Sequence, residues 1–168
     1  MIMNETYVEH LIEKRTGAGE NLIRIVVYVL TLLSFGAGIF ISPLFFLLCI
    51  GGGALCYFFL PTLDLEYEYL YLSKTLTIDK IFSKEKRKKA EEFDLEKMEI
   101  YAEEGAWQLD RYKDLNCKEL DYTSRFPDRR RFIMVIRDGE DVKKVILEPD
   151  DRMNEAIKTV YPSKVFFK

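Results

Sequence analysis

With 168 residues the chain has room for one ordinary domain plus a membrane segment, and a formal charge of −3 argues against a general nucleic-acid binder, which carries a clear basic excess. Three cysteines are too few for a disulfide framework and fit a reducing compartment. The average composition hides a boundary: residues 1–60 hold only three of the 25 Lys and Arg and four of the 28 Asp and Glu.

Residues 1–21 read as an amphipathic segment lying at a membrane interface. Thr6 and Glu9 make a capping-box pattern, and Tyr7, Val8, Leu11 and Ile12 follow at helical spacing. Gly17–Ala18–Gly19 breaks the segment before the next element. The single histidine, His10, reads as ordinary surface chemistry rather than a ligand.

Residues 22–61 read as a two-span transmembrane hairpin. Leu22–Ile41 and Leu44–Leu60 are apolar runs separated by Ser42–Pro43. As one straight helix they would reach roughly 58 Å at about 1.5 Å per residue, about twice the roughly 30 Å hydrocarbon core. Proline disfavours helical geometry at Ser42 and supplies no backbone donor, so the chain is expected to reverse there. A cleaved signal peptide does not fit a preamble with four acids and a second full span. A buried soluble hairpin does not fit two runs without a polar face. Gly36, Ala37, Gly38 and Gly51, Gly52, Gly53 lie at matching depths, where small residues let helix backbones approach. They suit packing within the hairpin or an interface with another helix. The uncharged turn, with Lys14, Arg15 and Arg24 flanking the first span, predicts a multi-pass cell-membrane protein with both termini cytoplasmic.

Residues 62–168 read as a cytoplasmic, mainly-β domain. Leu65, Tyr67, Tyr69 and Tyr71 alternate with Glu66 and Glu68, as a half-buried strand requires. A second strand is expected at Leu76–Phe82. Charged residues 84–92 read as a turn into Phe93 and a strand near Leu95–Tyr101. A helical turn is expected around Trp107–Tyr112, with Trp107 in the core or at a barrel mouth. Further strands are expected at Cys117–Thr123, Arg131–Arg137 and Val142–Glu148, the last two joined by Asp138–Gly139. Asp150 or Asp151 caps a final helix whose apolar stripe is Met153, Ala156, Ile157 and Val160, and Pro162 ends it. The expected fold is a partly open barrel of about seven antiparallel strands with a C-terminal helix.

The two spans, the tyrosine-rich strand, Leu76–Thr77–Ile78, Ile81–Phe82–Ser83, a basic turn and Phe93–Asp94–Leu95–Glu96–Lys97–Met98 resemble the bacterial membrane-anchored pleckstrin-homology-like proteins. The whole chain, to Lys164–Val165–Phe166, also resembles a family of small uncharacterised two-span proteins from Gram-positive anaerobic bacteria. The first resemblance implies a pleckstrin-homology-like binding module without catalysis; no cofactor or metal is expected from the residues themselves.

No nucleophile–base pair, metal-ligand spacing or phosphate-cradling loop stands out, and no enzyme activity is expected. Lys84, Lys86, Arg87, Lys88 and Lys89, with Glu85 among them, form the feature of highest charge density. They are either a solvated hairpin tip or a contact for anionic lipid headgroups, each cation near such a surface gaining about 1 kcal/mol. Arg125, Arg129, Arg130 and Arg131 are a candidate surface for a protein partner the sequence does not identify. Two functions fit: a non-enzymatic membrane-anchored interaction or scaffold module, or an accessory subunit of a larger membrane complex such as a transporter.

Overall fold

The computed structural model describes residues 7–113, 115 and 117–167. Two compact units divide the chain: one takes the segment ending at Lys14, Glu66–Ile81 and everything from Arg87, and the other takes Arg15–Leu65 with Phe82–Lys86.

The second unit is a helical hairpin. Helix α1 (Ala18–Phe40) opens with Gly17 N donating to the Glu20 carboxylate at 2.7 Å, half of a capping box. The chain reverses over Ile41–Leu44, where Phe45 N and Phe46 N bond to Ser42 O and Pro43 O at 3.1 Å each. Helix α2 (Phe45–Phe58) runs on into a 3₁₀ turn at Leu60–Leu63. Ala18–Phe40 and the continuous helical stretch Phe45–Leu63 are long and apolar enough to cross a membrane, with mean hydropathies of 2.1 and 1.9, and nearly all of their surface is open. The hydroxyls of Thr31 and Ser34 donate to Val27 O and Leu30 O, so neither helix face offers an unspent polar group at these positions.

The expected glycine contacts divide. A Cβ on Gly38 would lie 2.9 Å from the Phe46 ring, and one on Gly52 would overlap Thr31. Gly36, Gly51 and Gly53 have nothing within 4 Å and take no part in packing inside the hairpin.

In the first unit, the expected helix before the spans is a strand, β1 (Tyr7–Glu13). Thr6, the expected cap, lies outside the described residues. Tyr-Val-Glu-His-Leu-Ile-Glu also alternates with period two, Val8, His10 and Ile12 facing inward, and its β-branched and aromatic residues suit a pleated surface. A short segment satisfies both patterns, and the free edge of β2 (Leu65–Leu72) decides between them. Seven antiparallel pairs run from Tyr7↔Leu72 to Glu13↔Glu66.

Strands β3 (Thr75–Phe82) and β4 (Lys86–Asp94) complete a four-stranded sheet in the order β1-β2-β3-β4. The charged residues expected as a turn are therefore mostly an edge strand. An edge needs only one ladder partner, and lysines there discourage pairing with further chains.

The second sheet holds β5 (Met98–Glu103), β6 (Lys118–Asp121), β7 (Phe132–Asp138), β8 (Asp141–Leu147) and β9 (Val165–Phe166), in the order β6-β8-β7-β5-β9. Two open sheets replace the expected partly open barrel, and β6/β8 and β5/β9 are parallel. Each parallel pair is separated by another element (β7, or α3, Asp151–Val160), which gives the chain the length to cross over. The hairpin at Gly139 forms as expected, with φ of +65° and Asp138 opposite Asp141. Five successive residues of β7, Phe132–Ile136, are buried because both faces of the sheet are covered. Ile133 and Val135 pack with Ile100, Leu109 and Tyr112 on one side, while Phe132 stacks on Tyr101 at 5.4 Å on the other.

Asp150 caps α3 through Met153 N at 2.9 Å, and Met153 and Ile157 are buried; Val160, at the end of the stripe, is exposed. Asn154 also turns inward and accepts from Tyr101 OH at 2.5 Å. Tyr101→Phe leaves that buried amide oxygen unpaired, and denaturant unfolding of the full chain should lose about 1–3 kcal/mol. In detergent, Gly52→Leu should destabilise the helical hairpin by about 1–3 kcal/mol through overpacking, whereas Gly53→Leu should fall within about 0.5 kcal/mol of the wild type.

Candidate interaction surfaces

The basic run is not a single surface. Its turn, Phe82–Lys86, belongs with the helical unit. There Ser83 N donates to Asp64 O at 3.0 Å and Ser83 Oγ to Pro61 O at 2.5 Å, tying the turn to the chain that leaves α2. Ser83 and Lys84 both adopt left-handed backbone, φ 55° and 60°, a conformation that suits a tight hairpin turn. Asp64 also meets Arg24 of α1 at 2.6 Å, so the outer ends of both helices are joined to each other and to this turn. Lys84 and Lys86 are thereby held at that end.

The other cations are spent differently. Alternation along β4 puts Arg87 and Lys89 on one face and Lys88 on the other. Arg87 lies 2.9 Å from Glu68, whose side chain is 2% exposed, and Lys89 pairs with Glu92. The sequence places Glu66 and Glu68 on a solvent face; both are buried, because β1 and β3 flank them. Burial and the neighbouring Glu9 carboxyl raise the Glu68 carboxyl above the usual carboxylate range. A hydrogen bond from Tyr7 lowers Glu9.

Most of the candidate arginine surface is engaged in ion pairs at the surface of the β domain. Arg130 forks onto Glu103 with two 3.2 Å bonds and sits 5.5 Å over the Phe132 ring. Arg131 approaches the buried Glu148 at 3.8 Å, and Arg125, with φ 64°, approaches Asp121 at 3.7 Å. Arg129 is exposed and lines a cleft of about 340 Å³ with His10, Asp128, Glu148 and Asp150.

Polar groups that the sequence reading passed over connect the two sheets. Tyr69 OH donates to Tyr122 O at 2.6 Å and accepts from Glu148 N at 3.3 Å. Burial pushes Tyr122 up to about 12. Three alternating tyrosines in one strand are the available signal, since a buried phenol needs a partner for its hydroxyl. Trp107, expected in the core or at a barrel mouth, is 77% exposed. It lines a cleft of about 560 Å³ with Tyr112, Phe166, Glu99 and Arg111. Among the described residues no group of three or more His, Cys, Asp or Glu is placed to hold a metal ion.

The model of a family described as "Bacterial PH-like domain (DUF6106)" matches residues 4–167. No curated protein and no solved structure matches the chain. Because Arg87 faces a buried carboxylate and Lys88 faces water, Arg87→Gln should lower unfolding free energy by about 1–2 kcal/mol, with Lys88→Gln within about 0.5 kcal/mol of wild type, read by urea midpoints.

Proposed function

The chain belongs to the bacterial PH-like domain family, and on that premise we propose that it is a non-enzymatic, membrane-anchored interaction module. The two apolar helices span the cell membrane, and the β domain is held at its cytoplasmic surface. The observation that carries this reading is the position of the helices in the chain: they are inserted between β1 and β2, which pair along seven residues. An anchor inserted between paired strands must leave and re-enter the membrane on one side, so both termini share a compartment. The flanking Lys14, Arg15 and Arg24 assign that compartment to the cytoplasm. Lys84 and Lys86, fastened beside the helix ends, supply contacts for anionic lipid headgroups.

A second reading, an accessory subunit of a larger membrane complex, is favoured by one feature of the helical unit. Gly36, Gly51 and Gly53 are unpacked, and a groove of about 470 Å³ runs between Val27, Leu30, Thr31, Leu47, Leu48 and Leu55. Another membrane helix would fit such a groove.

Reporter fusions at residue 3 and residue 168 should both read cytoplasmic; an external signal at either end overturns the anchoring. With the full chain in lipid nanodiscs, hydrogen exchange at Phe82–Lys86 should slow when anionic lipid is added, and the slowing should fade as salt is raised. It should vanish in Lys84→Gln/Lys86→Gln. Equal exchange with neutral and anionic lipid would remove the headgroup contact while leaving the anchor intact.

A further inference from the structure

The carboxylate of Glu148 is buried and only half used. Its side chain is 3% exposed, Oε2 accepts from Ser124 N at 3.0 Å, and Oε1 finds no hydrogen-bond donor among the described residues. Arg131 Nε comes within 3.8 Å of Oε1, an ion pair too long to be a hydrogen bond. A buried carboxylate oxygen without a donor is costly, and at the wall of a cleft a ligand can bring the donor it lacks.

Glu148 lines the cleft of about 340 Å³ that lies among β1, the loop before β7 and the start of α3. Each element adds polar groups. Asp150 spends Oδ1 on Met153 N and holds Oδ2 3.8 Å from His10 Nδ1 of β1, again beyond hydrogen-bond reach. Asn154 Oδ1 accepts from Tyr101 OH and keeps a second lone pair. The loop brings Asp128, Arg129 and Arg130, and the exposed Asp151 stands at the rim. The lining thus carries four carboxylates against two guanidiniums, and one of these, Arg130, is already committed to Glu103 and Asp151. Surplus acceptors and surplus negative charge both call for a cation rich in donors.

We propose that the cleft seats an arginine side chain of a partner protein, whose guanidinium donates to Glu148 Oε1 and is flanked by Asp150. Five N–H donors in one rigid plane serve several acceptors better than the three donors of a compact, strongly hydrated ammonium. Phe132 and Ile12, both buried, give the aliphatic stem apolar surface to lie on. The volume is at the lower end of ligand pockets, enough for one long side chain and not for a folded element. The inference rests on the reading of the chain as an interaction module and names the chemistry of one partner. It concerns the β domain alone, so its failure leaves the membrane anchor and the headgroup contact as they stand.

Titration of the isotope-labelled full chain in detergent with the capped peptide Gly-Arg-Gly reads the site through the amide resonances of Ile12, Arg129 and Asn154. Saturable shifts are expected there, half complete at about 1 mM, the scale of a single side-chain contact. The citrulline peptide, alike in shape but uncharged, should shift nothing, and the lysine peptide and spermidine should each bind more weakly. In Glu148→Gln, an amide that keeps the Ser124 bond through its oxygen must turn its own N–H₂ group to the cleft, donor against donor. That variant should weaken arginine binding about tenfold or more, with β7–β8 amides reporting an intact fold. If it fails to fold, Asp128→Arg on the exposed loop decides, reversing a rim charge and weakening binding about fivefold. No saturation at this cleft, an equal response to citrulline, tighter binding of lysine or spermidine, or undiminished binding in the deciding variant overturns the proposal.

Discussion

Pairing between β1 and β2 is the constraint on which the architecture rests. These strands are neighbours in the sheet but lie on opposite sides of the α1–α2 hairpin in the sequence. The β domain cannot complete its first sheet until the whole apolar hairpin has been made. The entropy of closing that long insertion is offset by seven strand pairs and by the buried Ile12. The helical unit has its own closure, because Arg24 meets Asp64 and Ser83 bonds to both Pro61 and Asp64. Each unit thus gathers segments that are remote in the sequence.

Charge in the four-stranded sheet is arranged by the same pairing. A glutamate on an ordinary half-solvated strand would stay ionised at little cost. Glu68 has strands on both sides and Arg87 above it, and its neighbour Glu9 arrives only because β1 docks. The basic run consequently serves several purposes: Lys84 and Lys86 mark the turn beside the helix ends, Arg87 covers a buried acid, and lysines along β4 guard an open edge. A dense cationic stretch in sequence is a smaller cationic surface in three dimensions.

The second sheet is held by conventional apolar packing with a few polar bridges. Tyr69, Tyr101 and Tyr122 place large apolar rings in the core and direct their oxygens or backbone carbonyls into hydrogen bonds with Tyr122, Glu148 and Asn154. Such bonds are modest individually but costly to leave unmade, so they favour one alignment of the sheets over slipped alternatives.

The sequence by itself determined the elements whose signal is local and strong. The apolar runs and Ser42–Pro43 specify the helical hairpin, because no soluble strand or loop tolerates so long an unbroken apolar stretch. Asp138–Gly139 specifies a turn, and Asp150 with Met153 and Ile157 specifies a capped helix. Tertiary structure alone decided the rest. Tyr7–Glu13 satisfies helical and strand spacing equally over seven residues, and only the vacant edge of β2 selects the strand. Lys86–Asp94 looks like a solvated loop until one neighbour offers a ladder. The β1/β2 pairing, the burial of Glu66 and the parallel β6/β8 and β5/β9 pairs join residues far apart in the chain. A spacing rule reads neighbours along the backbone, whereas these features depend on which strands happen to lie side by side.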